Sequence, residues 1–510
     1  MNVLFDGLLN DKSPDALFAE IPSSQSSRKL TYQELIDASA QFANVLVEEG
    51  VQIGDRVAVQ VNKSIEAIIL YLATVRAGAV FLPLNTAYTV SEIEYFLENA
   101  TPSLFVCDPN QKEEYKPLLE RLNITGSTLG VWDGSDSDAG DLFAKAMKAS
   151  KSFDTVPRAE GDLAAILYTS GTTGRSKGAM LSHDNLLSNA IALVDYWQFT
   201  NEDRLLHALP IFHTHGLFVA TNVTLAAGSS LLFLPGFNTD TIIDCLPNVS
   251  CMMGVPTFYT RLLADPRLNQ DLAKNVRLFV SVSAPLLAET HIDFEKRTGH
   301  RILERYGMTE TNMNTSNPYV GDRRAGTVGF PLPGVEARIA NPETGEVLDQ
   351  GEVGVVEVRG PNVFSGYWQM PEKTKEEFRS DGFFITGDLA TFDEDGYLKI
   401  VGRAKDLIIS GGYNIYPKEL ELILDEQEGV LESAVIGIPH ADFGEGVVGV
   451  LVPKADTSID ESQIMTNIQD KVARFKQPKK LVVIDELPRN TMGKVQKNLL
   501  RQQYEDLFSA

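Results

Sequence analysis

An apolar run, Leu163–Leu167, is followed at once by Tyr168–Gly178, Y-T-S-G-T-T-G-R-S-K-G. The run reads as a buried strand. The stretch after it holds three glycines, five Ser/Thr residues, Arg175 and Lys177. Glycines let the backbone turn tightly and bring N–H groups close to an anion. The hydroxyls add donors, and the two cations add charge. A loop built this way at the end of a buried strand can cradle a polyphosphate. A flexible Gly/Ser/Thr linker seldom follows a buried strand directly while carrying two cations. No G-K-[S/T] ending follows, so the pattern is not the Walker loop.

The segments before the loop place it in a parallel sheet. Thr31–Gly50 is predicted as a helix with a Thr31/Glu34 capping box, Arg56–Val61 as a strand and Ser64–Ala77 as a helix. Val80–Leu84 reads as extended, Ser91 and Glu94 cap the next helix, and Ser103–Cys107 is another strand. Strands alternating with helices give an α/β fold with a two-sided sheet. Gly134–Ser152 is polar and expected at the surface, and Asp184–Trp197 is a helix. From Asp406 the pattern changes. Helix Glu419–Leu424, strands Ser433–Ile438 and Gly449–Val452, and helix Ile464–Phe475 form a small α+β domain. The expected division is a large N-terminal domain over 1–402 and a small one over 403–510. The length of 510 residues requires more than one core.

The net charge of −24 argues against nucleic acid and anionic membrane as partners. Lys471–Ala510 inverts that balance, with nine Lys/Arg against four Asp/Glu. Cys107, Cys245 and Cys251 give neither a disulfide framework nor a zinc pattern and are expected as buried thiols. No signal layout or membrane-length apolar run is present, so a cytoplasmic enzyme is expected.

Thr169–Gly178 resembles the phosphate loop of the adenylate-forming enzymes, the superfamily of acyl-CoA synthetases, adenylation domains and luciferases. Ser176 stands where most members have proline. Five further segments resemble that family in order: His207–Phe218, Glu304–Thr311 (E-R-Y-G-M-T-E-T), Thr386–Leu389 (T-G-D-L), Val401–Gly412 and Pro488–Lys494 (P-R-N-T-M-G-K). The resemblance implies a large multi-subdomain α/β domain, a small mobile α+β domain and a hinge near Lys405. It implies ATP, Mg²⁺ and CoA as ligands. Thr169, Ser170, Gly171, Thr172, Thr173 and Gly174 would cradle phosphate, with Lys177 on the leaving pyrophosphate. Ser283, Ala284, Glu304 and Tyr306 would form the adenine site, Asp388 would hold the ribose and Arg403 would contact the nucleotide. Thr309 would bond the α-phosphate, and Glu310 with Thr169 would hold Mg²⁺. Ser410 and Gly411 would line the pantetheine path. His207, Thr214 and Met308 would face the acid, with His213 beside the chemistry. Lys494 would be the adenylation lysine and a candidate target of a protein acetyltransferase.

The implied reaction joins a small carboxylic acid to CoA through an acyl-adenylate. Within the family, Arg305–Asn317 and H-A-L-P-I-F-H-T-H-G-L-F are similar to malonyl-CoA synthetases. The Asn- and Thr-rich stretch after Glu310 suggests a short polar acyl group. A short-chain or aromatic monocarboxylate ligase, a luciferase-type oxygenase and a non-catalytic nucleotide-binding protein are the alternatives. Malonate's second carboxylate needs a cation, because an unpaired buried charge costs several kcal/mol. Arg261, Arg305 and Arg324 are the candidates. Arg261, after the apolar G-V-P-T-F-Y, is the expected one, since a basic residue follows this segment in malonyl-CoA synthetases.

Overall fold

The computed structural model describes residues 1–22, 27–132, 139–169, 176–281, 286–410, 413–440, 442–455, 457–469, 471–490 and 494–508. The chain forms two compact units. One comprises Met1–Glu336 and Arg359–Phe384, the other Ala337–Val358 and Ile385–Ala510.

The first unit holds two large sheets. One runs Gly366–Tyr367, Lys177–Ser182, Leu163–Thr169, Val80–Pro83, Arg56–Gln60, Leu104–Cys107, Thr125–Thr128. It is parallel from Leu163–Thr169 outward to Thr125–Thr128, and antiparallel toward the Gly366–Tyr367 edge. The expected capping box is present: Thr31 accepts from the Glu34 N–H at the start of Tyr32–Glu48. Ser64 caps Ile65–Arg76 in the same way. The cap expected at Ser91/Glu94 is instead Thr89/Glu92 at the start of Val90–Ala100. Both pairs fit the spacing, and burial of Ile93, Phe96 and Leu97 selects the earlier one. The interval expected to be polar surface contains a helix, Gly140–Ala146, with Leu142 and Phe143 buried.

The second sheet of this unit has nine strands. Leu17–Ile21, Ser230–Phe233, Arg204–His207, Cys251–Gly254, Leu278–Ser281 and Leu303–Met308 are parallel, and antiparallel hairpins close both edges. His207 ends one of these strands, and Ser281 ends another, just before the candidate residues Ser283 and Ala284 in sequence.

In the second unit, Val430–His440 and Gly444–Pro453 form a long antiparallel pair, with Lys480–Val483 parallel alongside. Side chains alternate across these strands. Val435, Val447 and Leu451 pack on Leu420, Leu424, Ile464 and Ile468, while Ile436, Ile438 and Val450 pack on Leu487 and Leu500. The helix expected over Ile464–Phe475 is Glu461–Ile468. The Gln477 amide donates to the Gln469 and Val472 carbonyls, supplying partners that a continued helix would have supplied. Cys107 and Cys251 are buried, whereas Cys245 is half-buried. Among the described residues, no helix is long and apolar enough to cross a membrane.

Candidate active site

Strands Leu163–Thr169 and Lys177–Ser182 pair antiparallel, with Thr169 opposite Lys177. Ser170, Gly171, Thr172, Thr173 and Gly174 lie outside the described residues, as do Ser283, Ala284 and Gly411. Lys177 is anchored by groups that sequence motifs do not reveal. Its ammonium lies 3.0 Å from Glu377 Oε1 and 4.0 Å from the centroid of the Tyr367 ring. The Tyr367 hydroxyl is 2.6 Å from Glu377 Oε2 and 3.0 Å from Glu310 Oε1. Burial alone would raise the Glu377 carboxyl. Tyr367, Lys177 and Lys373 outweigh it and hold the group below the usual carboxylate range. Burial, together with the Glu310 and Glu377 charges, pushes the Tyr367 phenol far above its ordinary value. Glu377 is 200 positions from Lys177, so no local spacing connects them.

Tyr306, Met308, Thr309 and Glu310 occupy one hairpin. Leu303–Met308 pairs with Asn312–Ser316, and the Thr311 N–H closes the turn on the Met308 carbonyl at 3.2 Å. Tyr306, Met308 and Thr309 are half-buried, and Glu310 is buried. Asn312 takes a positive φ of 49°, a conformation Asn tolerates better than most residues. A Cβ on Gly307 would meet the Asn312 carbonyl oxygen at 1.9 Å. Gly307→Ala is therefore expected to displace the turn and cost about 2 kcal/mol or more of stability. Urea denaturation matching the parent would refute that.

The asparagines after Glu310 contribute to the scaffold, while Asn312 Oδ1 and Asn314 Nδ2 are buried without a hydrogen-bond partner among the described residues. Asn312 donates to the Asn185 carbonyl, and Asn362 donates to the Thr311 and Met313 carbonyls and to Asn314 Oδ1. Asn189 exchanges hydrogen bonds with the Met313 backbone. Asn317 donates to the Glu304 and Thr327 carbonyls. Buried amides suit this because each has two donors and an acceptor for backbone groups. Glu304 is buried and accepts from His291 Nδ1 at 3.1 Å and from the Gly326 N–H. Burial raises its carboxyl, with His291 working against the rise.

The first strand of the hairpin also carries Arg305, whose charge acts on His215. Arg305 is 4% exposed, and none of its guanidinium nitrogens has a hydrogen-bond partner among the described residues. The same holds for both ring nitrogens of buried His215 and for the adjacent Thr214 hydroxyl. Burial drives Arg305 well below its ordinary value. Burial, then the charge of Arg305, does the same to His215. His215 opens a π-helix, His215–Thr221, a rare form frequent at functional sites. The Gly216 carbonyl there accepts from Thr221 Oγ1 and His207 Nε2. Lys63 donates to His207 Nδ1 at 3.0 Å and to the His207 carbonyl at 2.8 Å. A carbonyl oxygen only accepts, so His207 Nε2 carries the proton toward Gly216, burial keeps the ring neutral, and both nitrogens are engaged. It is built into the wall. His213 lies in the turn before the π-helix, its ring edge-on to Phe212.

Arg261 does not share this setting. It is exposed in the last turn of Pro256–Ala264, with its guanidinium 5.6 Å from the Phe237 ring centroid. Arg324 pairs with Asp322 at 3.0 Å. The buried unsatisfied arginine is Arg305. In sequence it is masked by its neighbour Tyr306, whose motif carries the adenine role.

In the second unit, Asp388 and Arg403 face each other across antiparallel strands, and their side chains meet at 2.6 Å. Past them, Asp406 pairs with Arg501 at 2.6 Å, next to Lys405. Ser410 is buried at the end of Ile408–Ser410. Tyr413 and Phe475 stack 4.4 Å apart and are exposed, with Lys476 near the Phe475 ring. Lys494 is exposed, its N–H bonded to Asn490 Oδ1.

Comparison with known proteins identifies the family. Residues 10–368 match the model of the AMP-binding enzyme family, and residues 419–494 match the AMP-binding enzyme C-terminal domain. A malonate–CoA ligase of Arabidopsis thaliana is 35% identical, over 89% of this chain and 78% of its own. A long-chain-fatty-acid–CoA ligase of Bacillus subtilis is 33% identical, over 94% and 91%. The crystal structure of ATP-bound MatB from Rhodopseudomonas palustris is 56% identical over the whole of both chains, with a TM-score of 0.96. The ordered motifs, the two units and these matches agree: the chain belongs to the AMP-binding enzyme family.

Proposed function

We propose that this protein is an ATP-dependent malonate–CoA ligase. A carboxylate oxygen of the acid attacks the α-phosphate of ATP, and the bond to pyrophosphate breaks. The CoA thiol then attacks the acyl carbon, giving the thioester and AMP. The observation that carries the dicarboxylate reading is Arg305, a buried guanidinium unsatisfied among the described residues and close enough to His215 for its charge to act there. An isolated buried charge is costly, and a paired, hydrogen-bonded one much less so. Malonate's second carboxylate supplies the pair, and a planar guanidinium suits it bidentately. A fatty acyl chain offers Arg305 nothing. The names of the Arabidopsis and Bacillus relatives do not separate these acids, so the site must.

The remaining roles follow from residue type and placement. Lys177 and the loop before it take the leaving pyrophosphate, and Thr309 at the hairpin turn reaches the α-phosphate. Glu310 and Thr169 fit a divalent cation. Glu310 is a buried hard-oxygen donor, and Thr169 stands opposite Lys177 in the ladder. Mg²⁺ there would neutralise phosphate charge. Tyr306 offers a face for adenine, with Glu304 fixing the strand behind it. Asp388 takes the ribose hydroxyls while Arg403 orients it. His213 and Met308 bound the acyl space. For CoA, the exposed Tyr413/Phe475 stack with Lys476 suits an adenine ring and phosphates, and Ser410 starts the path for the thiol arm. We place the enzyme in the cytoplasm, in keeping with its strong negative charge.

Pyrophosphate and AMP release across a panel of acids, with and without CoA, tests the whole reading. Malonate should lead the panel, and AMP should accumulate only when CoA is present. A long-chain or aromatic acid outrunning malonate would overturn it.

The domain boundary belongs to the same proposal. With 1–402 and 403–510 as the moving parts, Lys405 is the swivel, since the two half-reactions need different faces of the small domain. Lys405→Pro, which fixes φ, is expected to spare adenylation and slow thioester formation at least tenfold. Equal loss of both halves in single-turnover assays would remove the hinge from Lys405.

A further inference from the structure

The link between Lys177 and Glu310 is made by Tyr367 and Glu377, two residues that lie outside all six motif segments. Glu377 uses both oxygens. Oε1 is 3.0 Å from Lys177 and 3.2 Å from Lys373, and Oε2 is 2.6 Å from the Tyr367 hydroxyl. That hydroxyl also lies 3.0 Å from Glu310 Oε1. A phenol has one proton to give, and the shorter distance assigns it to Glu377. We infer that Glu377 is the resident counter-ion of the phosphate-site lysine, and that by claiming the Tyr367 proton it keeps that proton from competing with a metal for Glu310. The inference rests on the proposed ATP- and Mg²⁺-dependent function.

The geometry fixes the sign of the effect on each ligand. Lys177 must stay charged and placed before the polyphosphate comes, and a carboxylate does that. The same carboxylate repels the incoming phosphates, so it holds metal-free ATP binding weak. Replacing Glu377 with glutamine removes the repulsion and releases Lys177. It also removes the stronger acceptor of the Tyr367 proton, so the hydroxyl turns to Glu310. A hydrogen bond to that carboxylate competes with Mg²⁺. The two ligands should therefore respond in opposite directions, which general loosening of the site would not produce. The roles are those of positioning residues, since neither need touch the reacting atoms.

Calorimetric titration of full-length protein is the test, with ATP added in EDTA and then Mg²⁺ added to the ATP-loaded protein. Glu377→Gln is expected to bind metal-free ATP about three-fold or more tighter, yet to need about ten-fold more Mg²⁺ for half-saturation. Adding Tyr367→Phe to Glu377→Gln removes the competing hydroxyl and should restore the Mg²⁺ response most of the way. Glu377→Asp draws the charge back by one methylene. It should give the same pair of shifts in weaker form, and it serves if the glutamine variant does not fold. Weakening of both ligands together, or no recovery in the double variant, overturns the inference. These readouts need no acid substrate. A wild type that binds Mg-ATP but turns over no malonate would sink the proposed function and leave this inference standing.

Discussion

Lys494→Ala is expected to lose acid-dependent pyrophosphate release by about 10³-fold, while thioester formation from supplied malonyl-adenylate and CoA stays within a few-fold of the parent. The lysine is exposed on the segment that follows Leu487, and its backbone is tied to Asn490 in both directions. The side chain can therefore be lost without harm to the packing of the small unit. Its proposed work is to set one positive charge against the attacking carboxylate and the α-phosphate. Preorganised charge of this kind is worth several kcal/mol in a transition state. The second half-reaction no longer needs that charge, because the phosphoanhydride has already broken. Acetylation would remove the charge without removing the chain. Incubation with a protein acetyltransferase and acetyl-CoA should thus reproduce the alanine phenotype, with the acetyl group found on Lys494 by mass spectrometry. An alanine variant with normal pyrophosphate release would move the adenylation charge elsewhere.

Arg305→Met should lower kcat/KM for malonate by about 10²–10³-fold. Leaving a carboxylate buried without its cation costs about 3–5 kcal/mol. The same substitution should raise the melting temperature of the ligand-free protein. An unsatisfied buried guanidinium is replaced by an apolar side chain of similar length, so stability and activity should move in opposite directions. A short monocarboxylate such as butyrate should be used as well as before, or better. Arg261→Leu, at an exposed position, should change malonate kinetics by less than about three-fold. If Arg261→Leu abolishes turnover and Arg305→Met does not, the exposed arginine is the anion partner and the buried one is structural.

Features that depend on short-range chemistry are legible in the chain itself. The Thr31/Glu34 box, the Ser64 cap and the alternation of strands and helices all emerge from local spacing, because a helix cap or a strand period is satisfied within a few residues. The strand at Leu163–Leu167 can be placed for the same reason, and the resemblance of the six motifs supplies a family. What those residues touch is settled by long-range packing. The amides of Asn312 and Asn317 are tied into the scaffold, since they meet carbonyls of other segments. His207 looks like a substrate ligand, yet Lys63 and Gly216 take both its nitrogens. Arg261 and Arg305 cannot be ranked from their neighbours in sequence. Burial and the absence of a partner among the described residues separate them, and both are sums over the whole fold. Glu377 reaches Lys177 across 200 positions. A long-range ion pair leaves no periodicity, spacing or cap in the sequence, so folding alone brings it into being.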